Sequence, residues 1–308
     1  MCYAGGFELD DRSCSDNNRS LHVMRWQGQW KYELFIFNVS MSTAYMDITT
    51  NEDVLIRTNA SGIATLTLNR PGARNALSTG LMAALQTELD GISSDRDIRV
   101  VVIAANGPAF CAGHDLREIR SAPQREAYEA LFAQCSKLML SIIRLPQPVI
   151  AKVHATATAA GCQLVATCDL AIAAETAKFA TPGVNIGLFC STPMVAVSRN
   201  VGRKRMMEML LTGEMMDAEN AVAAGLINST CPPDALNDAV ARLCATISSK
   251  SALTLKVGKE AFYRQLEMPL EDAYAYASEV MVTNMLARDA EEGIDAFLEK
   301  RDPEWRGE

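Results

Sequence analysis

Residues 106–116 read NGPAFCAGHDL, and their flanks decide the fold. Ahead of them residues 100–104, VVVIA, form an apolar, β-branched run of strand length; behind them a helical pattern begins. The stretch is therefore a strand, a glycine-bearing loop and a helix start. The same unit recurs where VIAKV, Val149–Val153, gives way to small residues at 154–160 and a helix opening near Gly161. A small-residue turn at a helix start leaves backbone N–H groups unpaired and lets a ligand approach them closely. Two such groups aimed at one point make an oxyanion hole, in which each donor stabilises a transition state by about 2.7–4 kcal/mol. Either turn alone reads more readily as a plain strand-to-helix connector.

The chain has 308 residues, and its 49% hydrophobic content is ample for a large core. A net charge of -8 without a stripe of Lys and Arg argues against nucleic acid as a partner. The nine cysteines are scattered and include no CxxC pair, which fits a reducing compartment better than a disulfide framework. That points to the cytoplasm, with the mitochondrial matrix as alternative. The three histidines never fall at metal-ligand spacing, so no metal is expected. The longest small and apolar run, at 155–174, is broken by Thr, Gln and Asp169 and fails as a membrane span.

Three motifs in order carry a resemblance: NRPGARNAL at 69–77, FCAGHDL at 110–116 and AAGCQLVATCDLAIA at 159–173. From about residue 54 to its end the chain resembles the enoyl-CoA hydratase/isomerase, or crotonase, superfamily. Within it FATPGVNIGLFCSTP at 179–193 is similar to the enoyl-CoA hydratase domain-containing protein 3 group. The resemblance implies an α/β fold, a crotonase-like spiral of β-β-α repeats with a C-terminal helical region. It divides the chain into an N-terminal extension at 1–50, for which disorder is one reading, a spiral core at 51–233 with an acyl-CoA site, and helices at 234–308 that pack subunits into trimers or hexamers. Coenzyme A enters as part of the substrate, and no separate cofactor is expected.

Around that frame the residues predict particular elements. A hairpin is expected from 54–57 and 63–68, and a helix capped by Ser78 with Leu81, Met82, Leu85 and Leu89 inward, ending at Gly91. A long helix starts at Pro123, carries Tyr128, Leu131, Phe132, Cys135, Leu138, Met139, Ile142 and Ile143 at steps of three and four, and stops before Pro146. From Pro193 onward the pattern is helical.

The resemblance also assigns residues. The backbone N–H groups of His114 and Ala160 are the oxyanion donors; Ala160 stands where many relatives carry Gly, which questions the turn because Ala disfavours positive φ. The His114 and His154 side chains read as packed rather than catalytic, and Asp115 as a local hydrogen-bonding partner at a helix start. Arg74, Ala76, Ala112, Asp115, Leu116 and Pro182 are the positions carried over to the acyl-CoA site, and Lys256 and Lys259 are candidates for the CoA phosphates. The two glutamates of the family's hydratases fall on Gln163 and Gly183, which cannot exchange a proton near pH 7. The function implied is acyl-CoA binding with enolate stabilisation and weak hydratase activity, nominally a lyase or isomerase of fatty acid metabolism; the alternative is non-catalytic acyl-CoA binding or sensing. Tyr128 or Glu129 could supply another reaction from the long helix. Restoring both carboxylates, Gln163→Glu with Gly183→Glu, is expected to raise hydration more than either change alone.

Overall fold

The computed structural model describes residues 53–308 and, ahead of them, one two-residue pairing of β1 (Arg25–Trp26) with β2 (Gln29–Trp30). The remaining expectations for residues 1–50 lie outside the described residues. The unit from residue 51 begins with β3 (Leu55–Ala60) and β4 (Ile63–Leu68), paired antiparallel around Ser61 and Gly62. Both turn residues have positive φ, 52° and 75°, the geometry that two-residue hairpins favour. The first arm is longer than the sequence suggested. In α1 (Thr79–Ser93) Ser78 Oγ accepts the Leu81 N–H at 3.1 Å, as expected of a cap. This helix runs past Gly91, because Ile92 continues its buried face.

β5 (Val100–Ala105) leads to α2 (Leu116–Ser121) and α3 (Arg125–Arg144). The long helix thus begins two residues after Pro123, since residues 116–121 form a helix of their own capped by Asp115. It buries Leu131, Cys135, Leu138, Met139 and Ile142; Phe132 lies off the stripe and is exposed. Next come β6 (Val149–Val153), β7 (Ala157–Thr158), α4 (Ala160–Thr167), β8 (Leu170–Ala174) and β9 (Lys178–Ala180). The chain continues through α5 (Pro193–Val197), α6 (Arg203–Thr212), β10 (Met216–Asp217), α7 (Ala218–Ala223) and β11 (Ser229–Cys231). The strands β10 and β11 correct the all-helical reading beyond Pro193: two or three residues carry no periodicity, and only pairing with β9 and β8 makes them strands. Four helices close the chain: α8 (Leu236–Ser248), α9 (Ala252–Gln265), α10 (Leu270–Met285) and α11 (Arg288–Glu299).

The large sheet has the order β11-β8-β6-β5-β4-β3, parallel except for the hairpin, and the small sheet the order β10-β9-β7. Successive turns of chain visit first the large sheet and then the small one. β6 is followed by β7 and β8 by β9, while after β5 and β4 the second visit shrinks to single bridges, Cys111 with Ala157 and Leu77 with His114. Each turn then leaves through a helix, which is the β-β-α spiral the resemblance implied. Alternation along the large sheet buries both faces. Val101, Ile103, Val149, Ala151 and Ala173 join α1, α3 and α4 in the main core, and Val100, Val102, Ile150, Ile172 and Ala174 pack on Leu236, Val240 and Cys244 of α8. The expected boundary at 233/234 therefore does not separate α8 from the core.

The next helix, α9, is anchored by polar contacts rather than by buried apolar side chains. Lys259 Nζ lies 2.6 Å from Asp169 Oδ2 and donates to the carbonyls of Ile142 and Gln147 at 3.0 Å. Tyr263 donates to the second carboxylate oxygen at 2.9 Å, and Val149 N–H to the first at 2.7 Å. Burial lowers the Lys259 pKa, with the Asp169 charge opposing that shift. Lys259 is thus committed to the fold, and its expected role toward CoA phosphates in this chain is corrected.

Two expected outcomes follow from this packing. Lys259→Met leaves a buried carboxylate without its cation and should lower unfolding stability by about 3 kcal/mol in a denaturant titration. Gly161→Ala places a Cβ 2.1 Å from Cys111 O, a backbone atom that cannot swing away. It should destabilise by about 3 kcal/mol or leave the protein insoluble, whereas Gly202→Ala, where a Cβ meets nothing within 4 Å, should stay near wild type in the same titration.

Candidate active site

The first turn is held by side chains of NRPGARNAL. Arg74 and Asn75 both take positive φ, 50° and 53°, folding residues 70–77 back on themselves. Asn75, wholly buried, donates to the carbonyls of Asn106 at 2.7 Å and Ala109 at 2.8 Å while accepting the Arg70 N–H at 2.8 Å. Arg70 reaches Ala76 O at 2.6 Å and Asp115 Oδ2 at 2.9 Å, and Asp115 Oδ1 accepts the Arg117 N–H that opens α2. The Arg70 guanidinium holds the Asp115 carboxyl below the ordinary carboxylate range. Asp115 is therefore the local partner the sequence suggested. Around it the backbone is paired: Leu77 N–H to Gly113 O at 2.7 Å, Ala112 N–H to Arg74 O at 3.1 Å and Asp115 N–H to Leu77 O at 3.3 Å. Between them the His114 N–H has no partner among the described residues.

The second turn sits against the first. A Cβ at Gly113, where φ is 99°, would lie 2.8 Å from Ala159 Cβ and 3.4 Å from Ala160 N. Ala159 N–H donates to Ala180 O at 2.9 Å, and Ala159 O accepts the Gln163 N–H at 3.0 Å, but the Ala160 N–H is unpaired among the described residues. The positive φ lies at Ala159 (φ 51°, ψ −120°), not at Ala160, which is the first helical residue and tolerates a side chain. The doubt attached to Ala160 moves one residue upstream, where the strain costs about 1–3 kcal/mol. Two free N–H groups in touching turns, one at the start of α4, are suited to an anionic or strongly polarised oxygen.

Several side chains near these donors hold unspent polar atoms. Both ring nitrogens of His114 are buried without a hydrogen bond, and its ring meets Phe132 edge-on at 5.7 Å. Burial keeps this imidazole below its usual pKa, hence neutral at pH 7. Gln163 Oε1 and Thr181 Oγ1 are likewise buried and unpaired. Gly183 N–H donates to Cys190 Sγ at 3.3 Å and Gly183 O accepts from Leu188 N at 2.9 Å, so a Cβ at 183 would lie 2.7 Å from Leu188 O. Nearby thiols are inert: burial pushes Cys111 and Cys162 up to about 12.

The other expected site residues differ in exposure, although the Ala112 N–H bond to Arg74 O holds two of them together. Arg74 and Lys256 are exposed, and Arg74 makes no ion pair among the described residues. Ala112 borders Thr158, whose hydroxyl donates to its carbonyl at 3.1 Å; Ala76 is buried, Pro182 half-buried and Leu116 50% exposed. His154 packs as expected, its Nε2 2.8 Å from Gly107 O. Tyr128 and Glu129 line a surface groove with Phe132, and Glu129 pairs with Arg125 at 2.7 Å, which leaves it far from a buried proton-transfer role. Sequence reasoning missed Arg70 and Asn75, although both stand inside the quoted motif, because the motif does not tell which side chains turn inward. Thr181 carried no signal beyond lying next to Pro182.

Among the described residues no helix is long and apolar enough to cross a membrane, and no cluster of three potential metal ligands occurs. The family model described as enoyl-CoA hydratase/isomerase matches residues 58–308. A human relative, enoyl-CoA hydratase domain-containing protein 3, mitochondrial, is 45% identical over 247 residues, 80% of this chain and 82% of the relative. The 2,3-dehydroadipyl-CoA hydratase of Escherichia coli is 32% identical over 254 residues, covering 82% and 98% of the two chains. The crystal structure of an enoyl-CoA hydratase from Mycobacterium smegmatis superposes with a TM-score of 0.81 at 53% identity, covering 82% of this chain and 99% of that one. Motifs, spiral and relatives agree, and the chain belongs to the enoyl-CoA hydratase/isomerase family.

Proposed function

We propose that the protein binds acyl-CoA thioesters, with the thioester oxygen between the N–H groups of His114 and Ala160 and an enolate stabilised there. The observation that carries this reading is the pair of unpaired donors in touching turns. Backbone donors already fixed in place stabilise developing charge without reorganisation. The exposed Arg74, on the same folded-back turn as Ala76, suits a CoA phosphate through a charge-assisted bond. Lys256, exposed on α9, is a second candidate.

Hydration is the weak point of such a site. Adding water across a conjugated double bond needs a base that deprotonates water and an acid that protonates the adjacent carbon. Gln163 is neutral and Gly183 has no side chain, so neither position of the family's glutamates offers a titrating group. The alternative, a non-catalytic protein that binds or senses acyl-CoA, draws on the same fact and on the closed loop at Gly183, which leaves no space for a carboxylate.

The helices α9 to α11 expose Phe262, Leu266, Leu270, Met281, Leu286 and Phe297, an apolar surface suited to packing copies of the chain into a trimer or hexamer. The word mitochondrial in the relatives' names favours the matrix over the cytoplasm as the compartment.

Steady-state turnover of crotonyl-CoA, paired with calorimetric binding of butyryl-CoA, tests this reading. Expected are normal binding and hydration far below an ordinary enzyme rate of about 10 s⁻¹; turnover at that rate would mean that other groups supply acid and base. His114→Ala should change binding little if only its backbone acts, and abolished binding with the fold intact would give the imidazole a part. The double restoration of carboxylates is revised: Gly183→Glu should disrupt the loop at 183–190, so Gln163→Glu alone should give the larger gain in hydration.

A further inference from the structure

The residue that supplies the first free N–H also carries a titrating ring. Both ring nitrogens of His114 are buried, and neither has a hydrogen bond among the described residues. A phenylalanine would fill much the same space beside Phe132, whose ring lies 5.7 Å away, without the cost of two unpaired polar atoms. Covalent geometry keeps both nitrogens within about 5 Å of the residue's own backbone nitrogen. An oxygen accepting that N–H at about 2.9 Å therefore lies within about 8 Å of them. The charged groups around the ring are already engaged. Asp115 is paired with Arg70 at 2.9 Å, Glu118 of α2 accepts the Thr79 N–H and hydroxyl at 2.9 and 2.5 Å, and on α3 Arg125 and Glu129 pair with each other at 2.7 Å. Burial holds the imidazole neutral, while the Leu77 carbonyl and the Glu118 charge favour its protonated form. A negative charge arriving at the N–H works in the same sense as those two.

We propose that the His114 imidazole compensates charge in the site: it stays neutral beside a neutral thioester and takes up a proton when the oxygen held by the His114 and Ala160 N–H groups becomes that of an enolate. The inference rests on the acyl-CoA reading above and adds to it a part for a side chain that the motifs leave as packing. In this step a C–H bond of the ligand breaks and its electron pair stays on the ligand as the enolate. The proton released is matched by one gained at a ring nitrogen, so the net charge of the site does not change. The imidazolium then attracts the anion in surroundings of low dielectric, where charges act over such a distance far more strongly than in water. His114 works on the oxygen through its charge and not as acid or base at a reacting carbon, so the weak hydration expected above is unaffected.

The probe is acetoacetyl-CoA, whose carbon between two carbonyls loses a proton readily and whose enolate absorbs in the near ultraviolet; butyryl-CoA, which does not ionise, is the control. Both are titrated into the full chain between about pH 6 and about pH 8, where a histidine titrates. The enolate absorbance of the wild-type complex should stay level across that range, because the enolate forms there without net loss of a proton. In His114→Phe and His114→Asn nothing takes up the proton, so the absorbance should fall by about tenfold for each pH unit below the ligand's own ionisation. His114→Phe removes two unpaired polar atoms, and its melting temperature without ligand should equal or exceed that of wild type. With only three histidines in the chain, the His114 ring resonances are assigned by their loss in either variant; they should move to imidazolium positions with acetoacetyl-CoA and not with butyryl-CoA. Binding of both thioesters with unmoved His114 resonances, or a level absorbance in the variants too, would overturn the proton uptake and leave the acyl-CoA reading standing. Binding of neither thioester would overturn that reading and the proton uptake with it.

Discussion

The backbone of Gly161 lies so close to Cys111 that an added Cβ would fall 2.1 Å from the Cys111 carbonyl oxygen. This contact between consecutive turns of the spiral fixes where α4 can begin. With α4 placed there, Ala160 takes the first helical position and its N–H is left free, as a helix start requires. The turn below is braced by Asn75, Arg70 and Asp115, which use up the neighbouring polar groups and leave the His114 N–H exposed to whatever enters. The two donors are thus set by packing between turns and not by anything in their own side chains.

Strain and unmet hydrogen-bonding capacity are both present at this place. Ala159 holds a backbone conformation that a residue with a Cβ rarely adopts, and His114, Gln163 and Thr181 keep buried polar atoms unpaired. A core shaped for stability alone would use Gly at 159 and apolar residues at 163 and 181. A strained residue next to two free N–H groups is the pattern expected where stability has been given up for binding. Elsewhere the large sheet buries both faces, and the buried Lys259 has a carboxylate and two carbonyls.

Periodicity and motif order made most of the fold legible. The apolar, β-branched runs VVVIA and VIAKV marked strands, the three-and-four spacing of α3 marked its buried stripe, and Ser78 marked a helix start by its capping chemistry. Both N–H groups that the motifs marked are unpaired among the described residues. What local sequence cannot carry is any feature whose energy comes from a distant neighbour. The short strands β10 and β11 exist only through pairing; α8 looks like the helices after it but packs on the back of the large sheet, and Lys259 reads as an exposed helical lysine until Asp169 is brought beside it from 90 positions away.

By itself, then, the sequence determined the spiral and its family and marked the two small-residue turns, because strand-length apolar runs, helix spacing and small residues at a helix start are properties of contiguous chain. Tertiary structure alone decided which polar groups near those turns are spent and which remain open. Whether Arg70, Asn75, Gln163 or Thr181 finds a partner depends on groups 5 to 45 residues away or on a partner that the fold withholds. It also decided that Gly183 has no room for a side chain, since Leu188 closes over it only once the loop is folded.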